Sequence, residues 1–386
     1  MRRVAVVLMS CLLLAATPAH AEGVDLLAQF DPFPGNNRYG DVWGEGNFAY
    51  LGSFNGTGVA IIDISDPENP FLAATYLPAS GGQFKDLKVE GGVGYFASDN
   101  GGGLHIVDLL DPTMPSLLSQ ITSADSGYNA VHNVFVRDGY LYEADSRTET
   151  VKVFDVGDPQ NPFFVRDIVT PDSSLIHDVT VVGSRLFASG FGGSTYIYDV
   201  SQVGTLAPPL LGSVPSGSNS HSSWAASDGN VLIIAREISD GDVRIYDVSD
   251  PASPVLLSTL DADSLGIAAF SPHNPVLFDD GLLFVSWYQA GVQVIDISDP
   301  ASPVRIGDYD TFSGAVSGFD GNWGVYPLLG LQRVLASDLD GGLFVLDASG
   351  LVAAQIPALG AAGRLLLIGT LVVTAALRRS PARSRA

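Results

Sequence analysis

The chain has 386 residues, including 43 glycines, 23 prolines and one cysteine, and carries a net charge of −23. Residues 22–363 hold 12 Lys+Arg against all 42 Asp+Glu, a balance of −30, while both ends carry only positive charge. A body that acidic repels nucleic acid and anionic lipid, so no nucleic-acid partner is expected. The lone Cys11 lies in an apolar leader, which excludes disulfides and thiol chemistry from the rest.

Met1 to Ala21 reads as a secretory signal. Arg2-Arg3 precede an apolar run from Val4 to Ala16, and Ala19-His20-Ala21 offers a small-x-small cleavage site before Glu22. Leu8-Met9-Ser10-Cys11 imitates a lipobox faintly, with too little apolar sequence ahead of it. Val24 to Phe30 then has the pattern of an outer β-strand without a sheet of its own.

Seven times after that, an apolar strand ends in an aspartate. The copies finish at Asp63, Asp108, Asp155, Asp199, Asp247, Asp296 and Asp347, spaced 45, 47, 44, 48, 49 and 51 residues apart. Most continue into Asp-Pro-x-x-Pro, a proline-set turn; the fourth has Ser201-Gln-Val-Gly instead. A period of about 40–50 residues filled with short strands marks a β-propeller, one blade per repeat. The fold expected is therefore all-β, a seven-bladed propeller of four-stranded blades over residues 22–350. The sixth repeat shows the plan, with strands at His273–Phe278, Leu282–Trp287, Gly291–Ile297 and Val304–Tyr309. The seventh repeat ends at Asp347 without an outer strand, so Val24–Phe30 is predicted to close the ring beside it.

Four of the five histidines after the leader share one repeat position, the start of the innermost strand: His132, His177, His221 and His273. The equivalent places elsewhere hold Tyr39-Gly40-Asp41, Lys85-Asp86 and Asn322-Trp323. Innermost strands line the channel, so these imidazoles should form an arc at one mouth. Second strands end at the same face, which adds Asp99, Asp145, Glu237 and Asp338, with Trp224, Trp287 and Trp323 as channel-face aromatics. Imidazole with carboxylate is a ligand set for divalent zinc, iron or manganese, and equally a set of acid–base groups. The plainer alternative is a polar lining in which each histidine bonds a neighbouring blade, a reading to which His177-Asp178 is open. His105, within a third strand, is expected to serve packing or surface. Asp99–Gly103 and Asp338–Gly342 have calcium-like composition but not EF-hand spacing. No Gly-x-Ser-x-Gly, phosphate-binding glycine loop, Cys-x-x-Cys or His-Glu-x-x-His occurs.

The C-terminal segment, residues 351–386, differs from the rest. Ile356 to Leu377 is apolar apart from Arg364, and Arg378-Arg379 and an arginine-bearing tail follow. With Arg364 snorkelling, the stretch is long enough to span a bilayer, its arginines cytoplasmic and the propeller outside. It resembles bacterial tripartite sorting signals, with Ile356-Pro-Ala-Leu in place of Ile-Pro-Thr-Leu and no Trp-Gly.

Val59-Ala-Ile-Ile-Asp-Ile-Ser-Asp-Pro67, Leu104-His-Ile-Val-Asp108 and Val292-Gln-Val-Ile-Asp296 resemble the LVIVD repeat of bacterial and archaeal surface propellers. Val131-His-Asn-Val-Phe-Val, Ser220-His-Ser-Ser-Trp, Ser271-Pro-His-Asn-Pro and Gly321-Asn-Trp-Gly-Val-Tyr-Pro327 are together similar to the choice-of-anchor B family. That resemblance implies an exported repeat domain joined to a C-terminal anchor, and no reaction. Two functions follow as expectations: an envelope-displayed, monomeric binding module meeting a surface ligand or protein through its histidine face, or an extracytoplasmic metal-dependent enzyme using the arc.

Overall fold

A computed structural model describes residues 23–35, 38–78, 82–128 and 130–351. The leader at 1–21 and the tail from 352, with the export and anchoring read from them, lie outside the described residues.

Seven four-stranded antiparallel sheets stand around one axis. From channel to rim, blade 1 runs Tyr39–Glu45, Phe48–Ser53, Val59–Asp63 and Phe71–Tyr76. Blades 2 to 6 repeat the order, with innermost strands at Phe84–Glu90, Asn133–Arg137, Ile176–Val182, Ser220–Ala225 and Pro275–Phe278. Blade 7 takes Asn322–Tyr326, Val334–Asp338 and Gly342–Asp347 from the end of the chain, and its outer strand, Asp25–Phe30, from the beginning. Asp25 stands opposite Asp347 and Phe30 opposite Leu343. The ring closes as predicted, and the first strand covers the edge that Gly342–Asp347 would otherwise leave open. In blade 6 the innermost strand starts at Pro275, two residues later than expected; Pro275 has no N–H for a ladder, although His273 and Asn274 ahead of it still exchange backbone hydrogen bonds with Ser286.

Middle strands are apolar on both faces because each blade is covered by two others. Between blades 5 and 6, for example, Ile233, Ala235, Val243 and Ile245 pack against Leu283, Val285, Trp287 and Ile295, all at most 0% exposed. Burying each large side chain contributes about 1.5–3 kcal/mol.

The recurring aspartates have a local task. In every blade the carboxylate ending the third strand accepts the N–H two residues on, from Ser65 to Asp63 at 2.8 Å through to Ser349 to Asp347 at 2.8 Å. The Asp-Pro aspartates repeat the device, as where Glu68 donates to Asp66 at 3.2 Å. Two such turns in succession swing the chain from third strand to outer strand. All lie on the face away from the histidines. After Asp347 the chain tucks beneath blade 7 on that same face, where Ala348 N–H donates to Leu331 O at 2.7 Å and Leu351 is buried against Val24 and Gly307.

Candidate functional site

Four innermost strands begin with the same irregularity: pairing with the second strand skips one residue between Phe84 and Asp86, Ile176 and Asp178, Ser220 and Ser222, and Asn322 and Gly324. The skipped residues are Lys85, His177, His221 and Trp323. A β-bulge re-aims the extra side chain, here toward the axis at the channel mouth. His132 and His273 occupy the matching place just ahead of their strands, their N–H groups bonded to Ala144 O at 2.9 Å and Ser286 O at 2.8 Å.

The four imidazoles follow one another around the axis. Ring centroids lie 4.2 Å apart from His132 to His177, 4.0 Å from His177 to His221 and 4.5 Å from His221 to His273, and Trp323 continues the arc at 4.1 Å. Together with Lys85, Asp86, Asp178 and Asn274 they enclose a cavity of about 10 Å³. That is room for one water or one small ion.

Carboxylates reach the arc from both sides. Asp99 Oδ2 lies 3.4 Å from His132 Nδ1 and 2.5 Å from Lys85 Nζ. Asp178 Oδ1 is 3.3 Å from His177 Nδ1, although no hydrogen bond forms between them. Glu237 Oε2 is 3.4 Å from His221 Nε2, and its Oε1 is 4.0 Å from His273 Nε2 and accepts from the Tyr288 hydroxyl. His273 Nδ1 donates to Trp323 O at 2.6 Å. Burial lowers the basicity of His132, His221 and His273, the last to about 3, and neighbouring imidazoles depress it further. The same burial raises Glu237 against the pull of Tyr288. Neutral, lone-pair-bearing imidazoles are the form that binds metals.

Other sequence candidates stand elsewhere. Asp145 pairs with the Arg147 guanidinium at 2.7 Å and touches no histidine, and Asp338 accepts from Thr311 Oγ1 at 2.9 Å and from two backbone N–H groups of its own turn. Both end second strands, one strand further from the axis than the arc. Trp287 is 0% exposed in the core between blades 5 and 6, on the face of its strand shared with Leu283 and Val285. Trp224 lies three residues beyond His221, roughly 10 Å along the strand. It lines the opposite mouth instead. Trp323 alone of the three tryptophans joins the histidines. His105 is buried away from the arc, with Nδ1 2.7 Å from the Tyr76 hydroxyl.

Below the arc, the channel holds groups that sequence reasoning did not single out as a site. Lys88 Nζ is bonded to Asp86 at 2.9 Å and Asp41 at 3.3 Å, fully inside. One ammonium cannot compensate both carboxylates at this depth, and burial pushes Asp86 up to about 8 and raises Asp41 as well. Asn133 links the layer to both sides, donating to Asp86 Oδ2 at 3.1 Å and accepting from Val179 N–H at 3.0 Å. Beyond it the channel widens to about 430 Å³, lined by Trp43, Phe135, Trp224, Tyr326, Leu277 and Arg137 among others.

The model of the LVIVD repeat matches residues 38–77, 81–122, 229–262 and 281–311. The chain carries LVIVD repeats. They fall on blades 1, 2, 5 and 6, and the same four-stranded plan runs through the other three blades. None of the curated proteins compared with the chain matches it. Among solved structures, the chain is similar to the computationally designed protein Ika8, at 13% identity and a TM-score of 0.57, over 83% of this chain and 99% of that one. It is also similar to a Bacteroides uniformis structure named, provisionally, as a 6-phosphogluconolactonase, at 14% identity and a TM-score of 0.56, over 71% of this chain and 83% of that one. Likeness at such identity shows the propeller and carries no activity across. Among the described residues no helix is long and apolar enough to cross a membrane.

Proposed function

We propose that this chain is an exported propeller, held at the cell envelope by its C-terminal segment, that meets a surface ligand or protein through its histidine-bearing face. The observation that carries this reading is the size of the cavity among the imidazoles. About 10 Å³ admits a water or an ion, whereas small-molecule sites need hundreds of cubic ångströms. That space does not hold an organic substrate among the histidines, so the alternative of an enzyme working on such a substrate at the arc is not favoured. Recognition would instead use the rim of that mouth. Half-exposed Arg147 bonds Asp99 at 3.1 Å there, and Arg38 bonds Asp320 at 2.8 Å. Export and anchoring rest on the leader, the tail and the resemblance to the choice-of-anchor B family.

The test is fractionation combined with surface cross-linking of cells making the full chain. The propeller should sit in the envelope fraction and leave it when residues 352–386 are deleted. Cross-linked partners should be lost in an Arg38→Glu/Arg147→Glu variant that keeps its fold. An unchanged envelope location without the tail overturns the anchor; unchanged cross-links overturn the choice of face.

A further inference from the structure

We infer that the histidine mouth binds one divalent transition-metal ion through His177, His221 and Glu237, an inference that rests on reading this mouth as the working face. One donor atom from each of these three residues lies within 4.8 Å of the others, and His177 also belongs to a second such group with His132 and Asp178. The spacing suits a small tetrahedral ion. Bonds of about 2.1 Å at tetrahedral angles place donors about 3.4 Å apart, and His221 Nε2 is 3.4 Å from Glu237 Oε2.

Two features distinguish this cluster from an ordinary polar lining. His177 Nδ1 and His221 Nδ1 are buried and have no hydrogen-bond partner. Buried polar atoms are almost always satisfied, and here each proposed histidine ligand carries one unsatisfied nitrogen, as Asn274 Oδ1 beside them also does. The surrounding contacts also hold donor groups in place. Tyr288 donates its hydroxyl to Glu237 Oε1, leaving Oε2 to face His221. His273 gives its Nδ1 proton to Trp323 O, which leaves the Nε2 lone pair turned toward the same carboxylate. Two electron-rich atoms facing each other at 4.0 Å are accommodated by a cation between or beside them. Such outer contacts are the usual support of metal-binding imidazoles.

The donor set selects the ion. Calcium and magnesium prefer six or more oxygens, whereas imidazole nitrogens with one carboxylate suit zinc and its first-row neighbours. The cavity of about 10 Å³ is of a size for a single ion.

The test uses the full chain, purified without a polyhistidine tag and stripped with a chelator. Zn²⁺ is titrated calorimetrically, and Co²⁺ is followed by its visible absorption. One equivalent should bind, with the strong absorption of tetrahedral Co²⁺. A His177→Ala/His221→Ala variant should lose this binding, and Tyr288→Phe should weaken it about 10- to 100-fold. His105→Gln should leave it unchanged. Absence of saturable binding overturns the inference, as does equal affinity in the double variant. Should the double variant not fold, Glu237→Gln decides, and wild-type affinity there overturns the site. Cross-linking repeated on stripped protein separates the two readings. Partners retained alongside a blank titration overturn the metal and keep the interaction; metal bound without partners supports the site and overturns the interaction.

Discussion

A Cβ placed on Gly342 would stand 2.5 Å from the carbonyl oxygen of Phe30, and Gly342 itself holds φ at +81°. The two residues belong to opposite ends of the chain and meet at the closing sheet. A side chain at 342 must either strain the backbone or push the first strand away. Gly342→Val should cost about 2–3 kcal/mol and open the seam. Thermal unfolding should fall by several degrees, and limited proteolysis should cut near residue 30 before anywhere else. A variant as stable and as resistant as the parent would show that the first strand is not what seals the ring.

Glu143 supplies a pH dependence remote from the histidines. It is 0% exposed, both carboxylate oxygens lack a hydrogen-bond partner, and burial pushes it up to about 8. An unfolded chain releases this proton near 4.5. Between those values the folded protein holds a proton that the unfolded chain has lost, so this residue makes stability fall as pH rises. The slope approaches about 1.4 kcal/mol per pH unit and levels off above the folded value. Glu143→Gln should therefore gain over the parent steadily from pH 5 to pH 8 in thermal melts. A constant gap between the two across that range would contradict the assignment.

The turn aspartates should differ from blade to blade. In blade 4, Asp199 accepts the Ser201 N–H at 2.9 Å, and no Asp-Pro turn follows. In blade 5, Asp247 accepts from Ser249 at 2.8 Å and Asp250 accepts again from Ala252 at 3.1 Å. Asp199→Ala should cost about 1 kcal/mol, and Asp247→Ala less, because a second turn of the same kind still guides the chain. Denaturant midpoints of the two variants provide the comparison, and equal losses would refute the idea that the turns support one another.

Much of this architecture was legible because the repeat states it seven times. Asp63 and its equivalents marked the ends of third strands, and a seventh repeat without an outer strand pointed to the spare strand at Asp25–Phe30. The arc of His132, His177, His221 and His273 followed from one shared position. Their surroundings were harder to read. Alternation in a strand sends neighbours to opposite faces, so His177 and Asp178 should not both reach the channel. The bulge at the strand start removes that restriction, and no residue type announces it. Below the bulge, ordinary alternation returns, which carries Asp86 and Lys88 into the channel and takes Trp224 toward the far mouth. Trp287 was misplaced for a different reason. A residue at the correct end of a second strand can still face the neighbouring blade, and its side of the strand follows from Leu283 and Val285.

The strand Gly342–Asp347 has a neighbour on each side, and the chain departs from its Asp347 end. Tension on anything attached beyond Leu351 would enter the disk along that strand. Both flanking ladders would then be loaded in shear, all rungs at once, rather than peeled open one rung at a time. If the chain were held from that end, it would resist being torn away at its best-braced point, and the imidazole mouth would face away from the attachment.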